Sequence, residues 1–190
     1  PDPAVDVFIS GTKVMEGLEF RQATQPFELA TTTGNYEFAV APEGGTIEDI
    51  IFSRSLSLTD KENYLLVAEG VVGDAGTPFN LQLVEDYRFE ANNETSVDIL
   101  ALHGTPDAPA VDILANGGSF IEDIAFGDNF GYLTVAPANY ELGVTPAADN
   151  TAVIGKYLAE LEDAAGAAVT VFASGLLSDL PEFGLWALLA

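Results

Sequence analysis

Short apolar runs alternate with turn signals along the whole chain, a pattern typical of β-strands rather than helices. In the first half we predict strands at Val5–Ile9, Pro26–Ala30, Tyr36–Ala41, Ile50–Leu58, Tyr64–Val71 and Phe79–Val84. In the second half we predict strands at Val97–His103, Val111–Ala115, Gly131–Val135, Tyr140–Val144, Val153–Leu161, Ala168–Leu176 and Leu185–Leu189. Strands of about five to seven residues with short turns fit one roughly seven-stranded β-sandwich in each half.

Gly, Asn, Asp and Pro supply the dihedral angles of tight turns and separate these strands. In the first half they mark turns at Ser10–Thr12, Thr33–Asn35, Pro42–Gly45 and Asp60–Asn63. One stretch of the second half, Tyr157–Ala168, has instead the composition of a helix. Its counterpart, Ser55–Asp60, alternates polar and apolar residues as a half-buried strand does. We therefore predict a strand followed by a turn in both halves.

The two halves are copies of one unit, because the motif that opens the chain returns after Leu102. Pro1–Val7 reads P-D-P-A-V-D-V, and Leu102–Ile113 reads L-H-G-T-P-D-A-P-A-V-D-I. Further matches at offsets of 104–106 are Phe20 with Phe126, Asn35-Tyr36-Glu37 with Asn139-Tyr140-Glu141, and Ala68 and Gly70 with Ala173 and Gly175. We predict two tandem domains, residues 1–86 and 97–190, joined by an acidic linker at residues 87–96.

The net charge of the chain limits the classes of partner that it can bind. The formal net charge is -24, with 30 acidic side chains against six Lys and Arg. Such a field repels phosphate backbones and anionic lipid headgroups, so we expect no nucleic-acid partner and no membrane insertion. High salt screens the self-repulsion of an acidic domain, so the charge indicates adaptation to salt. Divalent-cation binding is the rival explanation, and the two can coexist.

The chain has no cysteine, so disulfides and thiol chemistry play no part. No apolar run approaches the roughly 18 residues of a membrane span, and no signal-peptide pattern is present. Because the chain opens on the motif itself, we expect an upstream piece that was removed or left out. The linker carries the sequon Asn93-Glu94-Thr95, a candidate glycan acceptor of a kind that also arises by chance.

The motif holds the candidate chemistry. His103 is the only histidine and lies beside Asp107 and Asp112. A catalytic dyad or metal site would need further ligands or a nucleophile, so we expect His103 to end a strand and donate a hydrogen bond inside the turn. Asp107 and Asp112, like Asp2 and Asp6, fit turn residues that accept backbone N–H bonds beside prolines. A Ca²⁺ site is the functional alternative.

Other candidates have weaker patterns. Glu160, Glu162 and Asp163, or Glu122 and Asp123, could be paired as a glycosidase acid and nucleophile, but acidic pairs are frequent by chance in this chain. Tyr36 and Tyr140 occupy equivalent positions, which favours edge packing with the hydroxyl tied to backbone over a sugar platform. Trp186 lies among leucines and is expected to pack rather than bind a ligand. We assign no catalytic, cofactor-binding or metal residue.

His103–Asp112 resembles the signature H-A-S-P-D-A-P-x-V-D of the family called domain of unknown function 4397. Ile124–Gly127 and Ala138–Glu141 resemble its later motifs. The resemblance implies exported or cell-surface β-sandwich domains, often in tandem, with no assigned enzymatic activity. The first copy departs from the pattern, because it lacks Ala108 and a strand equivalent to Val97–His103. Either that strand was removed from the sequence or the first sandwich has an open groove.

We therefore predict two tandem Ig-like or transthyretin-like antiparallel β-sandwiches, with the motif as the corner between strands. The expected function is that of a non-catalytic structural or adhesive module at the cell surface of a salt-adapted microbe. Its partners would be proteins or further copies of itself, and strand complementation at the first sandwich could drive assembly. The alternatives are a carbohydrate- or Ca²⁺-binding surface domain and, more distantly, a hydrolase.

Overall fold

A computed structural model describes residues 4–29 and 34–189 of the chain. Over these residues the protein is all-β, with one 3₁₀ turn at Ile47–Asp49 and no α-helix. It divides into two compact units, Pro1–Tyr87 and Arg88–Ala190. None of the described segments is a helix long and apolar enough to cross a membrane. The prediction of two tandem all-β units is confirmed.

The first unit packs a four-stranded antiparallel sheet against a two-stranded one. The larger sheet has the order β2-β1-β3-β4, with β1 at Val5–Ile9, β2 at Thr12–Leu18, β3 at Gly34–Pro42 and β4 at Phe52–Leu58. The smaller sheet pairs β5 (Leu65–Glu69) with β6 (Asn80–Val84). Side chains from both sheets form the core, among them Ile9, Phe38, Val40, Leu56, Leu58 and Leu81.

The second unit has eight strands in two four-stranded sheets. They are β7 (Val97–His103), β8 (Val111–Ala115), β9 (Gly118–Ile124), β10 (Asn129–Val135), β11 (Asn139–Pro146), β12 (Gly155–Glu160), β13 (Ala168–Ser174) and β14 (Gly184–Leu189). The sheets have the orders β10-β7-β13-β14 and β12-β11-β8-β9. The pair β7 and β13 runs parallel, in contrast to the antiparallel prediction. Every residue of β7 is buried.

Two hairpins that the sequence analysis did not predict add β2 and β9. Ser10 and Gly11 have positive φ of 47° and 80°, and Asn116 and Gly117 have 51° and 80°. Two left-handed residues in succession form the type I′ turn that joins antiparallel strands. The returning strand β2 contains no buried residue, so the apolar pattern does not mark it. The Asn116-Gly117 pair is the signal that could have predicted such a hairpin.

The strand predicted at Pro26–Ala30 is wrong over residues 26–29, which form no strand, and Ala30 lies outside the described residues. Its counterpart in the second unit is β10, which pairs with β7. The described part of the first unit has no counterpart of β7, so this stretch has no neighbouring strand to pair with. Instead of seven strands in each unit, the described residues form six in the first and eight in the second.

The contested stretch Tyr157–Ala168 is a strand and a turn, as predicted, because β12 covers Gly155–Glu160 and a turn follows at residues 162–163. Residues 88–96, predicted as part of a linker, fold against the second unit. The N–H of Ala91 donates to the Gly166 carbonyl at 2.8 Å, and the N–H of Gly166 donates to the Ser96 carbonyl at 2.8 Å. The division between the units accordingly falls after Tyr87.

Candidate functional site

The repeated motif forms the corner that carries the chain of the second unit from one sheet to the other. β7 ends at His103 and β8 begins at Val111, and these strands belong to different sheets. The N–H of Gly104 donates to the Ala173 carbonyl at 2.7 Å, which ties the start of the corner to β13. The polar residues of the motif therefore lie where the two sheets are joined.

Asp107 fastens this corner to the loop that follows β13. Its carboxylate accepts hydrogen bonds from the backbone N–H groups of Leu177 (2.8 Å) and Ser178 (2.9 Å) and from the Ser178 hydroxyl (2.7 Å). Desolvation raises the pKa of Asp107, but these hydrogen bonds outweigh it and hold the pKa below its ordinary value. The prediction that Asp107 accepts backbone N–H bonds is confirmed, with donors 70 and 71 residues further along the chain.

Asp6 and Asp112, the last carboxylates of the two motif copies, make the same contact. Asp6 Oδ1 accepts the N–H of Gly17 at 2.9 Å, and Asp112 Oδ1 accepts that of Asp123 at 2.8 Å, in both cases 11 residues later. Gly17 and Asp123 have left-handed φ of 63° and 55°. They lie where register shifts mark a bulge in each hairpin. Each carboxylate thus satisfies a donor that the bulge removes from the ladder.

Asp6 also forms a buried ion pair. Lys13 Nζ lies 2.7 Å from Asp6 Oδ2, and the N–H of Gly44 donates to the same oxygen at 3.0 Å. The hydrogen bonds from Lys13 and Gly17 lower the pKa of Asp6 against the opposing effect of burial. Asp2, for which we predict a similar role, lies outside the described residues.

Across the described ranges, no three His, Asp or Glu side chains form a group that could hold a metal ion. The acidic residues considered as glycosidase pairs, Glu122, Asp123, Glu160, Glu162 and Asp163, are all exposed. Glu122 accepts a hydrogen bond from the Ser119 hydroxyl at 2.6 Å. These carboxylates are exposed to solvent, and Glu160 also lines a small cavity of about 190 Å³ together with Tyr140 and Leu161.

His103 is buried, and its ring accepts a hydrogen bond rather than donating the one we predicted. Nδ1 accepts the N–H of Thr105 at 3.3 Å. Neither Nε2 nor the Thr105 hydroxyl has a hydrogen-bond partner among the described residues. Burial lowers the pKa of His103 more than the Pro109 and His103 carbonyls and the Asp128 charge raise it. A neutral imidazole is therefore favoured in the folded protein.

We predict that protonation of His103 destabilises the second unit. The pKa of His103 in the folded protein lies below the ordinary value of 6.5, so the unfolded chain takes up this proton first as the pH falls. The free energy of unfolding therefore keeps its maximum value above about pH 6.5. At lower pH it decreases, by at most about 1.4 kcal/mol per pH unit. Urea unfolding followed by Trp186 fluorescence measures this slope. His103→Leu should flatten it between about pH 7 and pH 5, and an unchanged slope would contradict the prediction.

The aromatic residues pack as expected. The Tyr140 hydroxyl donates to the Ala136 carbonyl at 2.8 Å, and the ring packs against two core clusters of the second unit. Tyr36 packs against the core of the first unit. Trp186 lies 5.4 Å from Phe172, measured between ring centroids.

Asp98 is a fully buried carboxylate in β7 that the sequence did not single out as a candidate. It accepts hydrogen bonds from Arg88 Nη1 (2.7 Å), the N–H of Asn92 (3.0 Å) and the Thr134 hydroxyl (2.7 Å). Desolvation raises the pKa of Asp98, but the contacts with Thr134, Asn92 and Arg88 outweigh it and lower the pKa. Arg88 also lies over the Tyr132 ring, 4.2 Å from its centroid. A single Asp inside an otherwise apolar strand was the signal for this site.

One open groove of about 670 Å³ lies on the second unit, beside the loop that Asp107 holds. Its lining includes Tyr157 and Phe183, whose rings meet edge to face with centroids 6.5 Å apart. Asp179 and Glu182 add carboxylates to the lining. The groove thus combines aromatic and acidic groups at the surface.

Comparison with known families agrees with the internal repeat. The model of the family described as domain of unknown function (DUF4397) matches residues 1–99 and again residues 97–185. No curated protein matches the chain. The second match begins at Val97, the first residue of β7.

Proposed function

The chain belongs to the DUF4397 family in two tandem copies, and we propose that it is a non-catalytic structural or adhesive module on the outer surface of a salt-adapted microbe. The observation that carries the proposal is that backbone N–H groups of the protein itself occupy the motif carboxylates Asp6, Asp107 and Asp112. A catalytic or metal site needs such groups directed at a ligand. The family resemblance favours export, and the charge favours protein partners or further copies over nucleic acid.

The proposed adhesive role is tested with coated beads. Beads that carry the chain should aggregate, or bind surface material of the host cell, in about 2 M KCl, where the Debye length is only a few ångströms and the acidic surfaces can approach. Beads coated with an unrelated acidic protein of similar charge are the control. Equal behaviour of the two kinds of bead would reject the adhesive role.

Salt adaptation makes a separate prediction. The melting temperature of the chain should rise on the order of 5 °C or more between low salt and about 2 M KCl, because screening removes the self-repulsion of a net charge of -24. Thermal unfolding followed by circular dichroism measures the shift. Trimethylamine oxide, which stabilises without screening charge, separates screening from solvent exclusion. A melting temperature that is flat in KCl would contradict salt adaptation.

A carbohydrate-binding surface domain is the second candidate, and the groove beside Tyr157 and Phe183 favours it. Aromatic rings and carboxylates can stack on a sugar and accept its hydroxyl protons. A glycan array should then give a signal that Tyr157→Ala removes.

Binding of Ca²⁺ would raise the melting temperature at constant ionic strength. A hydrolase is the most distant alternative.

Strand complementation also belongs to the proposal. The smaller sheet of the first unit, β5 and β6, has two strands in the described residues, where the second unit has four. An extended segment that adds to this sheet would complete the first sandwich.

A further inference from the structure

The two units differ in what joins the edge strands of their sheets. In the first unit, β4 and β6 each lie at the edge of a sheet, and Arg54 bridges them. Arg54 Nη1 donates to the Asn80 side-chain oxygen at 3.0 Å and to the Leu81 carbonyl at 2.8 Å. The Asn80 amide in turn donates to Glu69 Oε1 at 3.0 Å. A guanidinium of the chain itself therefore lies between the two edges.

The strand register identifies the position equivalent to Arg54 in the second unit. Phe38 of β3 pairs with Arg54 of β4. Its counterpart at an offset of 104, Leu142 of β11, pairs with Tyr157 of β12. Tyr157 therefore stands where the first unit has its bridging arginine.

The partners of the arginine are exchanged as well. The register of the other sheet places Gly184 where the first unit has Asn80. It places Ser174 where the first unit has Glu69. Together with the tyrosine, these exchanges remove every side chain of the polar bridge from the second unit.

The open groove of about 670 Å³ lies at this place in the second unit. Tyr157 of β12 and Phe183, the residue before β14, line it. Asp179 and Glu182, both exposed, add two carboxylates. Among the described residues that line the groove, none is a lysine or an arginine. The groove thus has aromatic and anionic groups without a cation of its own.

Such a groove has the chemistry that binds a guanidinium. An arginine side chain stacks on an aromatic face and forms paired hydrogen bonds with a carboxylate. Leu177 and Leu180, which are 40% and 71% exposed, add apolar surface for its methylene groups. The hydrogen bonds from Leu177 and Ser178 to Asp107 hold this loop in place. The groove therefore needs little ordering when a partner binds.

We propose that this groove binds an arginine side chain of a partner protein, in the place that Arg54 fills in the first unit. Charge complementarity selects the occupant, because a net charge of -24 attracts basic segments. A second copy of the chain is a poor source, since each of its three arginines already contacts its own unit. Arg54 contacts β6, Arg88 pairs with Asp98, and Arg21 lies over the Phe20 ring.

The test is an NMR titration of the whole chain with the hexapeptide G-S-R-L-S-G, blocked at both ends. In about 1 M KCl the Debye length of about 3 Å suppresses attraction by the diffuse charge of the chain. The amides of residues 176–183 should shift on binding. The same peptide with citrulline, which resembles arginine in shape but is neutral, should bind about fivefold more weakly or worse.

Three variants of the chain locate the site. Glu182→Gln should weaken binding about threefold. Glu162→Gln removes the same charge from an exposed residue outside the groove and should leave binding unchanged. Tyr157→Arg supplies a guanidinium from the chain itself, as in the first unit, and should abolish binding. The amide spectrum of each variant reports whether the second unit is folded.

Several results would overturn the proposal. They are the absence of shifts with the arginine peptide, equal binding of the arginine and citrulline peptides, and equal effects of Glu182→Gln and Glu162→Gln. A glycan that shifts the amides of residues 176–183 when the arginine peptide does not would assign the groove to carbohydrate. Shifts of these amides that grow with the concentration of the chain alone would assign it to a second copy.

This inference deepens the proposed adhesive function, on which its biological meaning rests, by naming the chemistry of the partner. The two can fail separately. Peptide binding by a chain whose coated beads neither aggregate nor bind cell-surface material would reject adhesion and retain the arginine site. Bead aggregation without peptide binding would retain adhesion and reject the arginine site.

Discussion

Asp98→Ala is expected to lower the free energy of unfolding of the second unit by about 3 kcal/mol. Asp98 is fully buried and joins β7 to two other segments, residues 88–96 through Arg88 and Asn92, and β10 through Thr134. Its removal leaves the charge of Arg88, the N–H of Asn92 and the Thr134 hydroxyl without their acceptor. The Arg88 side chain is 31% exposed, so water can partly solvate it, which places the loss at the lower end of values for broken buried pairs.

Urea unfolding monitored by Trp186 fluorescence measures this loss, because Trp186 is the only tryptophan and lies in β14. Glu141→Gln is the matched control, since Glu141 and Lys156 pair at a similar 2.9 Å but are 64% and 63% exposed. An exposed pair should contribute less than about 1 kcal/mol. Asp98→Asn keeps an acceptor for Thr134 and should lose less than the alanine variant. Equal losses for Asp98→Ala and Glu141→Gln would show that Asp98 anchors nothing.

The apolar pattern predicted most of the strands whose side chains enter the cores, but it missed the surface strand β2 and also β9, which buries Ile121 and Ile124. β3, β4 and β8 carry the apolar residues that fill the space between sheets, so the pattern marks them. β2 contains no buried residue, and it pairs with β1 because of the tight turn before it. Patterns of burial therefore cannot predict strands that are fixed by backbone pairing alone.

The strand predicted at residues 26–29 failed for a different reason. It corresponds to β10 by its position in the repeat, but a strand forms only where a neighbour supplies hydrogen-bond partners. Local sequence contains no information on whether that neighbour is present. The internal repeat does contain it, because it shows which strand of the second unit the stretch would need.

The motif could be predicted as a corner with Asp residues that accept N–H bonds, but the donors could not. Asp107 accepts hydrogen bonds from Leu177 and Ser178, which lie 70 and 71 residues further along the chain. His103 was expected to donate, and it accepts from Thr105 instead. These details depend on how the loop after β13 folds back, which no spacing in the sequence fixes.

That loop makes Gly175 the second position where a single substitution should have a large effect. Gly175→Ala is expected to lower the free energy of unfolding of the second unit by about 4 kcal/mol. Gly175 has a φ of 87°, and an added Cβ would meet the Glu182 carbonyl and lie 2.7 Å from the Pro181 carbonyl oxygen. The loop cannot retreat freely, because the N–H of Leu176 donates to the Pro181 carbonyl at 2.8 Å. Trp186 fluorescence during urea unfolding again gives the measurement.

Gly117→Ala is the control that separates the steric clash of an added Cβ from the strain of a left-handed backbone. Gly117 has a similar φ of 80°, but an added Cβ would have nothing within 4 Å, so this variant should lose only the roughly 1–2 kcal/mol of a left-handed alanine. The difference between the two variants measures the close approach of the loop to β13. Gly70, the counterpart of Gly175, has a φ of 79° and would meet the Pro78 carbonyl. Gly70→Ala should therefore reduce hydrogen-exchange protection of β5 and β6 as strongly. If Gly175→Ala and Gly117→Ala lose the same stability, the glycine at positions 70 and 175 is needed only for its left-handed backbone. The close packing of the loops against these two glycines would then contribute nothing to stability.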